Sequence, residues 1–593
     1  ALCPYGKGPW NQKPVNYPGN IAGAEKPQSL SATLPIELHA GESLVIDAGQ
    51  FVQAYTVLDF DAEAGSQIET QHAQTYHLKG RHTDGVMLNI NKYTACRGRQ
   101  TYMSTDTFGF KYLVIRVTSG RIKLHGVKVV NRLYPFDVVG RFASSDPLLD
   151  RLWQYSVNTM LVCSEDAYVD CAARERVEWL ADGVVVGHPV TGTIFAGPGK
   201  DGKPRYADTR LLGNMLRHIG QSQYHDGRVK ARHPNDCWDI HAYIEDYCCL
   251  WIQSIRHYCD ATGKDDLARE LWPAVKAQLK WFLDHRTERG LVGAREFVYF
   301  GNPLAYQTCE GATLNCYLYR ALSDAAELAG RIGKTEDASN YIKAAVALRK
   351  SINTHLWDEK AGSYHGAVKD GLKTPPTVHA AVMNLYFDVA PLERRKRVQE
   401  FLLANYDKES FAPYTHAFLF GVLYGIDTDQ ADQIVLDLIR SRWTTMANYE
   451  TKTTSEGFGP GEMCHEAGTV PAYFLSTYVL GVRTDDPKLP DRVLIEPRLG
   501  DLAWAEGVVA SPSGPVVLSW KHSKDKKNLR FEITIPQGAT ATVRIPTVKD
   551  DVKLVLDDRE MKVGHDASEK TRREGRYITF ELGAGKHVGS VSR

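Results

Sequence analysis

The sequence of 593 residues lacks the features that mark membrane and nucleic acid proteins. No apolar run approaches the ~18–20 residues that a membrane-spanning helix needs, so we expect no membrane insertion. The 71 basic and 71 acidic residues balance, which leaves no excess of positive charge to attract nucleic acid. These absences favour a globular protein, and the length favours several domains.

Familiar motifs for metals and nucleophiles are missing as well. The 11 cysteines include no C-x-x-C pair, which argues against a zinc ribbon or a dithiol redox site. There is neither an H-E-x-x-H segment nor a G-x-S-x-G elbow. The segment 233–246 is rich in His and Asp but lacks the spacing of two His ligands on a helix. We therefore predict no metal and no cofactor.

The compartment is suggested only by the start of the sequence. The chain begins at Ala1 without methionine and without the basic and apolar regions of a signal peptide. A removed export signal would explain this start, and so would trimming of the chain. The first alternative predicts a periplasmic or extracellular protein, and one or two disulfides would be compatible with export.

The hydrophobic patterns that are present change twice along the chain. From about Pro35 to Val130, apolar and polar residues alternate with a period of two, as in antiparallel strands. From about Asp146 to Val482, apolar residues recur every three or four positions, which predicts at least ten helices. Strand patterns return from about Leu489.

These changes predict three domains: an N-terminal β-sandwich over 1–138, a helical domain over 139–484 and a C-terminal β-sandwich over 485–593. This order favours an α-toroid flanked by two sandwiches. A helical solenoid is the alternative, although the helix pairs show no repeated sequence.

Carboxylates are concentrated in "YVDCAARERVEWLADG", Tyr168 to Gly183. If this stretch is a loop running into a helix, Asp170 caps free backbone N–H groups, and Glu175 and Asp182 lie two turns apart on one face. An indole ring such as Trp179 raises the pKa of a nearby carboxyl, which suits a general acid, whereas the flanking arginines act in the opposite direction. Considered alone, the stretch is more typical of a solvated helix face.

The same stretch resembles the signature of the family-78 glycoside hydrolases, the inverting α-L-rhamnosidases, which is approximately D-C-P-x-R-E-R-x-G-W-x-G-D. The positions retained are Asp170, Cys171, Arg174, Glu175, Arg176, Trp179 and Asp182. Ala172, Glu178 and Ala181 replace the proline and two glycines of the signature.

A second resemblance lies near the end of the helical block. "CHEAGTVPAYFLSTYVLGV", Cys464 to Val482, is similar to the family segment C-H-G-W-S-A-G-P-x-Y-F-L-x-x-Y-V-L-G, with Glu466 and Ala467 in place of the Gly-Trp pair. The strands that follow match the family's step into a C-terminal sandwich, so the resemblance covers nearly the whole chain.

The resemblance implies an (α/α)6 barrel that binds a terminal α-L-rhamnose and hydrolyses its glycosidic bond with inversion and without a cofactor. It implies Glu175 as the general acid. The sugar contacts that it implies are Asp170, Arg174, Trp179, Asp182 and His465.

For the general base, the resemblance implies a glutamate fifteen to twenty residues before the C-H motif, in a T-x-W-E segment. Glu450 lies fifteen residues before His465, with Tyr449 in place of the tryptophan. The remaining competitors are Glu456, Glu462 and Glu466. Inversion needs the two carboxyl groups roughly 6.5–9.5 Å apart to admit a water, so we do not expect Asp182, on the same helix face as Glu175, to be the base.

The methyl group of a deoxy sugar favours an apolar wall, for which the aromatic candidates are Trp238, Tyr243, Tyr299 and Phe300. Core packing is an equal alternative for each of them. We predict release of terminal α-L-rhamnose from oligosaccharides or glycosides. The alternatives are a different sugar, because of the departures from the two motifs, or a carbohydrate-binding protein without turnover.

Overall fold

The structure is a computed structural model that describes residues 34–75, 89–234, 243–300, 309–459, 461–484, 489–525, 527–547, 552–564 and 570–592. The chain forms two compact units. The first consists of Ala1–Tyr134, Tyr155–Val177 and Thr445–Gly468, and the second of Pro135–Gln154, Glu178–Thr444 and Thr469–Arg593.

The first unit contains one seven-stranded sheet in which all pairs are antiparallel. Its strands are β1 (Ile36–His39), β2 (Ser43–Ala62), β3 (Gln67–Ala73), β4 (Asn89–Thr94), β5 (Gly98–Met103), β6 (Phe108–Ser119) and β7 (Arg121–Asn131). Their order is β1-β7-β2-β6-β3-β4, and β5 pairs with β2. The long strand β2 pairs with β6 along its first half and with β5 and β7 along its second. The apolar residues that alternate along these strands form one buried core, including Leu58, Phe60 and Ile115.

The two later segments of the first unit pack on this sheet through a second, smaller core. Its members are Phe51, Val162, Cys163, Val169, Ala172, Ala173 and Cys464. Gly109 on β6 makes this packing possible, because a Cβ at that position would lie 2.4 Å from the carbonyl oxygen of Ala172. The backbone N–H of Phe51 also donates to the carbonyl of Thr451 at 3.0 Å. The motif segments of the first unit are thus held directly on the N-terminal sheet.

The helical part comprises twelve α-helices within the described residues. They are α1 (Pro147–Val162), α2 (His188–Ile194), α3 (Arg210–Gln221), α4 (Glu245–Thr262), α5 (Asp266–Asp284), α6 (Ala312–Arg331), α7 (Thr335–His355), α8 (Val378–Tyr386), α9 (Leu392–Asn405), α10 (Pro413–Ile426), α11 (Asp429–Trp443) and α12 (Val470–Phe474). A π-helical turn, Asp182–Gly187, runs directly into α2, and another, Leu475–Val479, continues α12.

Even- and odd-numbered helices occupy different positions. The even-numbered helices pack on one another in chain order from α4 to α12, and α12 packs on α2. They are the more buried set: ten of the 14 residues of α10 are buried, whereas α9 buries only Val398 and Leu402. An inner ring of six helices with six outer partners is the predicted (α/α)6 barrel, which is confirmed. No helix in the described parts of the chain combines the length and apolar character needed to cross a membrane.

Short strands lie before the first helix and between later helices. They are β8 (Asp137–Val138), β9 (Arg141–Ser144), β10 (Phe195–Pro198), β11 (Pro204–Arg205), β12 (Glu310–Gly311), β13 (Trp357–Asp358), β14 (Ser363–Tyr364), β15 (Ala367–Lys369) and β16 (Leu372–Lys373).

The C-terminal domain is a sandwich of a five-stranded and a seven-stranded sheet. Its strands are β17 (Val482–Arg483), β18 (Arg492–Ile495), β19 (Trp504–Ser511), β20 (Gly514–His522), β21 (Asn528–Ile535), β22 (Thr540–Pro546), β23 (Leu554–Leu556), β24 (Arg559–Met561), β25 (Thr571–Glu574), β26 (Tyr577–Leu582) and β27 (Gly585–Ser592). The strand β9, which precedes the barrel in the chain, completes the larger sheet by pairing with β19. One pair, β18 with β22, is parallel, so this sandwich is not antiparallel throughout as predicted.

The close approach at Gly109 leads to a stability prediction. Gly109→Ala should lower the free energy of unfolding by about 1–3 kcal/mol, because the added methyl group must displace the backbone at Ala172. Thermal unfolding followed by circular dichroism measures the change. Gly126→Ala on β7 is the matched control, because its Cβ would meet only the Cβ of Asp59, at 3.8 Å. Equal melting temperatures for the two variants would contradict the prediction.

Candidate active site

The loop that carries Glu175 is closed by Asp170. The N–H of Asp170 donates to the carbonyl of Val177 at 3.0 Å, and the N–H of Val177 donates to Oδ1 of Asp170 at 2.9 Å. Helical structure begins only at Leu180. The expectation that Asp170 caps a helix containing Glu175 is therefore wrong, because its carboxylate takes a backbone N–H within the loop instead.

Arg174 joins two carboxylates within this unit. Its Nη2 atom lies 3.1 Å from Oε1 of Glu175 and 2.7 Å from Oε2 of Glu456. Burial alone would lower the pKa of Arg174, but the charges of Glu456 and other neighbours outweigh it and raise this pKa above its usual range. Burial likewise opposes ionisation of Glu456, yet His465 and Arg174 together lower the pKa of this carboxyl. Glu456 is therefore held as a carboxylate.

His465 is the point at which the two sequence motifs meet. It forms an isolated antiparallel bridge with Cys171, and its Nε2 lies 3.5 Å from Oδ2 of Asp170. The N–H of Ala467 donates to Nδ1 of the same ring at 3.2 Å, so Nε2 is the ring nitrogen that faces Asp170. Both His465 and Asp170 are buried.

The predicted base, Glu450, has a different environment. It is exposed, and its Oε2 accepts the Tyr112 hydroxyl at 3.0 Å. The same hydroxyl accepts a hydrogen bond from Lys111, whose Nζ lies 2.6 Å from Asp47. Glu450 therefore extends a polar row on the N-terminal sheet, and its role as base stays a prediction.

The two remaining competitors are buried. Glu462 accepts the N–H of Cys464 at 3.2 Å and the side-chain amide of Gln74 at 3.1 Å. Burial raises the pKa of Glu462 to about 7. The charge of Arg174 acts in the opposite direction and lowers this pKa, but its effect is smaller. Glu466 is fully buried, and its N–H donates to the carbonyl of Asp170 at 2.8 Å.

Three predicted sugar contacts lie in the second unit. Trp179 has the guanidinium of Arg232 above its ring, 4.7 Å from the centroid, and the edge of Tyr247 beside it. Tyr247 also contacts the ring of Tyr299, with the centroids 5.7 Å apart. The charge of Asp182 adds to burial in raising the pKa of Tyr247. Trp179, Asp182 and Tyr299 are therefore brought together, whereas Trp238 lies outside the described residues.

The aromatic cluster of the second unit contains two residues that sequence reasoning did not single out, Tyr247 and Tyr414. The Tyr414 ring lies 5.5 Å from that of Tyr299 and 6.4 Å from that of Tyr247. Their only signal in the sequence is an aromatic side chain near the start of a helix. Of the other candidates, Phe300 is fully buried in the core, and Tyr243 packs instead against Arg228 and Tyr224.

Comparison with known proteins now assigns the family. Residues 137–459 match the bacterial α-L-rhamnosidase 6 hairpin glycosidase domain, and residues 491–555 match the bacterial α-L-rhamnosidase C-terminal domain. The chain belongs to the bacterial α-L-rhamnosidase family. The resemblance to the family-78 glycoside hydrolases is thereby confirmed.

Individual relatives share both sequence and fold. An α-L-rhamnosidase of Alteromonas sp. (strain LOR) is 23% identical over 554 residues, which cover 84% of this chain and 55% of that protein. The GH78 rhamnosidase of Bacillus sp. GL1 is 28% identical with a TM-score of 0.76, covering 87% of this chain and 55% of that one. The Streptomyces avermitilis α-L-rhamnosidase, solved in complex with L-rhamnose, is 20% identical with a TM-score of 0.71. The match covers 94% of this chain and 53% of that one. The chain thus spans about half the length of these relatives.

The departure of this family member at Glu178 has a local explanation. The side chain of Glu178 is buried, and its Oε2 lies 2.8 Å from Nδ1 of His218 on α3. A buried carboxylate needs such a partner to offset the loss of hydration. Glu178, where the family signature has glycine, therefore links the segment before α2 to α3. Ala172 and Ala181, the other two departures, are fully buried.

The raised pKa of Glu462 predicts how stability depends on pH. Between its ordinary value of 4.5 and about 7, the folded chain retains a proton that the unfolded chain has lost. The contribution of Glu462 to stability is therefore full below pH 4.5 and decreases as the pH rises to about 7. Denaturant unfolding of the wild type and of Glu462→Gln should show a stability difference that shifts in favour of the variant between pH 5 and pH 8. A constant difference would contradict the prediction.

Proposed function

We propose that this chain is an inverting α-L-rhamnosidase that releases terminal α-L-rhamnose from oligosaccharides or glycosides. The observation that carries this proposal is the array Glu175–Arg174–Glu456, in which one guanidinium joins two carboxylates of the first unit. Membership of the rhamnosidase family supports the substrate class. Water is the only co-reactant that the reaction requires.

Glu175 is the proposed general acid. It lies in a turn, and its side chain retains 29% of its exposure, so it is accessible to a substrate. Arg174 makes its shorter contact with Glu456, at 2.7 Å, and the longer one, at 3.1 Å, with Glu175. The positive charge beside the acid is therefore shared with a second carboxylate. Protonation of the leaving oxygen by Glu175 would then start cleavage of the glycosidic bond.

For the general base, geometry favours Glu456 over Glu450. Activation of water requires an ionised carboxylate, and the lowered pKa of Glu456 meets this requirement. Arg174 contacts both Glu456 and Glu175, so Glu456 is the competitor that shares a side-chain partner with the proposed acid. Glu450 is instead exposed and bound to Tyr112.

The sugar contacts follow from the same reasoning. Arg174 donates hydrogen bonds and is partly exposed, which suits the hydroxyls of a sugar, whereas Asp170 and His465 are buried and stay proposed contacts on the basis of the family resemblance. The aromatic pair Trp179 and Tyr299 suits an apolar sugar face. We retain Asp182 as a proposed contact on the basis of the family resemblance, and Trp238 as an aromatic candidate for the apolar wall against the sugar methyl group.

Activity is tested with a panel of p-nitrophenyl glycosides. We expect release from the α-L-rhamnoside and not from other sugars, with NMR showing β-L-rhamnose as the first product, because inversion converts the α-linkage to the β-anomer. Initial formation of the α-anomer would rule out inversion. Release only from another sugar would overturn the substrate assignment, and rhamnose binding without any release would indicate a binding protein.

The residue roles are tested with three glutamine variants. Glu175→Gln should reduce kcat by about 10²–10⁴-fold on substrates with poor leaving groups and much less on activated ones. Glu456→Gln should abolish turnover of both kinds of substrate, because every leaving group needs an activated water. Glu450→Gln should resemble the wild type. The reverse result, with loss in Glu450→Gln and activity in Glu456→Gln, would return the base assignment to Glu450.

A further inference from the structure

Arg176, the residue directly after Glu175, has an unusual backbone conformation. Its φ angle is +51°, in the left-handed region that L-residues other than glycine, asparagine and aspartate seldom adopt. Such a conformation persists only where surrounding contacts hold it.

The guanidinium of Arg176 binds the N-terminal sheet. Its Nη1 donates to the carbonyl of Thr107 at 2.8 Å, and its Nη2 donates to the hydroxyl of the same residue at 2.9 Å. The same Nη2 lies 3.1 and 3.2 Å from the two carboxylate oxygens of Glu165. Thr107, just before β6, is fully buried. The planar, forked guanidinium matches this set of acceptors, which the single ammonium of a lysine would not.

Glu165 is the centre of this contact set. Its side chain is 2% exposed, and it also accepts hydrogen bonds from Arg132 and, at 3.2 Å, from the buried amide of Gln53 on β2. The amide of Gln53 donates in addition to Thr107 at 3.0 Å. A buried carboxylate between two guanidinium groups is charge-compensated. Its loss would remove the buried carboxylate partner of both arginines, leaving Asp166 for Arg132 and Thr107 and Asp106 for Arg176.

We propose that Arg176 and Glu165 are positioning residues that orient Glu175 for proton donation. This proposal rests on the proposed role of Glu175 as the general acid. On one side of Glu175, its own N–H donates to the sulfur of Cys171 at 3.1 Å. On the other side, Arg176 is fixed to the sheet through Thr107 and Glu165. Glu175 is thus held between two anchors, one at Cys171 and the other at Arg176.

A positioning role and a purely structural role have different kinetic consequences. Loss of stability reduces the amount of folded enzyme and therefore lowers all rates equally. Misplacement of the acid lowers the rate for leaving groups that need protonation and spares those that do not. The ratio of kcat/KM for a poor leaving group to that for an activated one, measured on a single preparation, is independent of the folded fraction.

The test uses Arg176→Lys and Glu165→Gln in the full chain, with methyl α-L-rhamnoside and 2,4-dinitrophenyl α-L-rhamnoside as substrates. We expect the ratio of the two kcat/KM values to fall by at least about tenfold in both variants. Arg99→Lys is the matched control, because Arg99 forms a similar two-pronged contact with Asp59 in the same sheet, with distances of 3.1 and 2.8 Å. Its ratio should equal that of the wild type.

The outcomes separate the two proposals. If Glu175→Gln lowers the ratio but Arg176→Lys and Glu165→Gln do not, the positioning role is overturned and Glu175 remains the acid. An equal loss on both substrates in these two variants assigns them a structural role and also overturns it. If the ratio is unchanged in Glu175→Gln itself, the assignment of the acid fails, and the positioning proposal fails with it.

Discussion

The loop and the junction of the two motifs in the first unit depend on one buried residue, Asp170. Oδ1 accepts the N–H of Val177, Oδ2 faces His465, and the backbone carbonyl accepts the N–H of Glu466. A buried charge is tolerated only when such partners are present. The partners come from segments almost three hundred residues apart in the sequence. Asp170 therefore determines both the loop that carries Glu175 and its junction with the C-H motif.

The cysteines next to these residues have a structural role that follows from the same junction. Cys163 and Cys464 belong to the small core beneath the loop, together with Ala172. Burial raises the pKa of the Cys163 and Cys171 thiols well above the usual range, which makes them poor nucleophiles. Cys163 and Cys464 act as small hydrophobic residues in this core.

The periodicity of the sequence predicted the order of domains because hydrophobic spacing directly reflects burial on a strand or a helix. The same reasoning was wrong between Asp170 and Leu180, where helix-favouring residues form a loop. Here the Asp170 side chain competes for backbone N–H groups, and Arg176 adopts a left-handed conformation. Hydrophobic periodicity also could not predict the pairing of β9 with β19, because the two strands lie more than three hundred residues apart in the sequence.

Site residues were predictable to the extent that a motif is local. Arg174 and Glu175 are neighbours in the sequence, and their contact follows from that. The environments of Glu450 and Glu456 could not be predicted in this way. Both lie in one irregular segment, and tertiary contacts distinguish them, with Tyr112 for Glu450 and with Arg174 for Glu456. The burial of Glu178 could not be predicted from the motif, because its partner, His218, lies forty residues further along the chain.

The two arginines beside Glu175 in the sequence bind different carboxylates, and this is the main electrostatic consequence of the fold. Each arginine has a carboxylate partner other than Glu175, namely Glu456 for Arg174 and Glu165 for Arg176. Two positive charges flank Glu175 in the sequence, but only Arg174 contacts its carboxylate, and it does so while also binding Glu456. The left-handed backbone at Arg176 accompanies the separation of the two guanidinium groups, one beside Glu175 and the other on the N-terminal sheet.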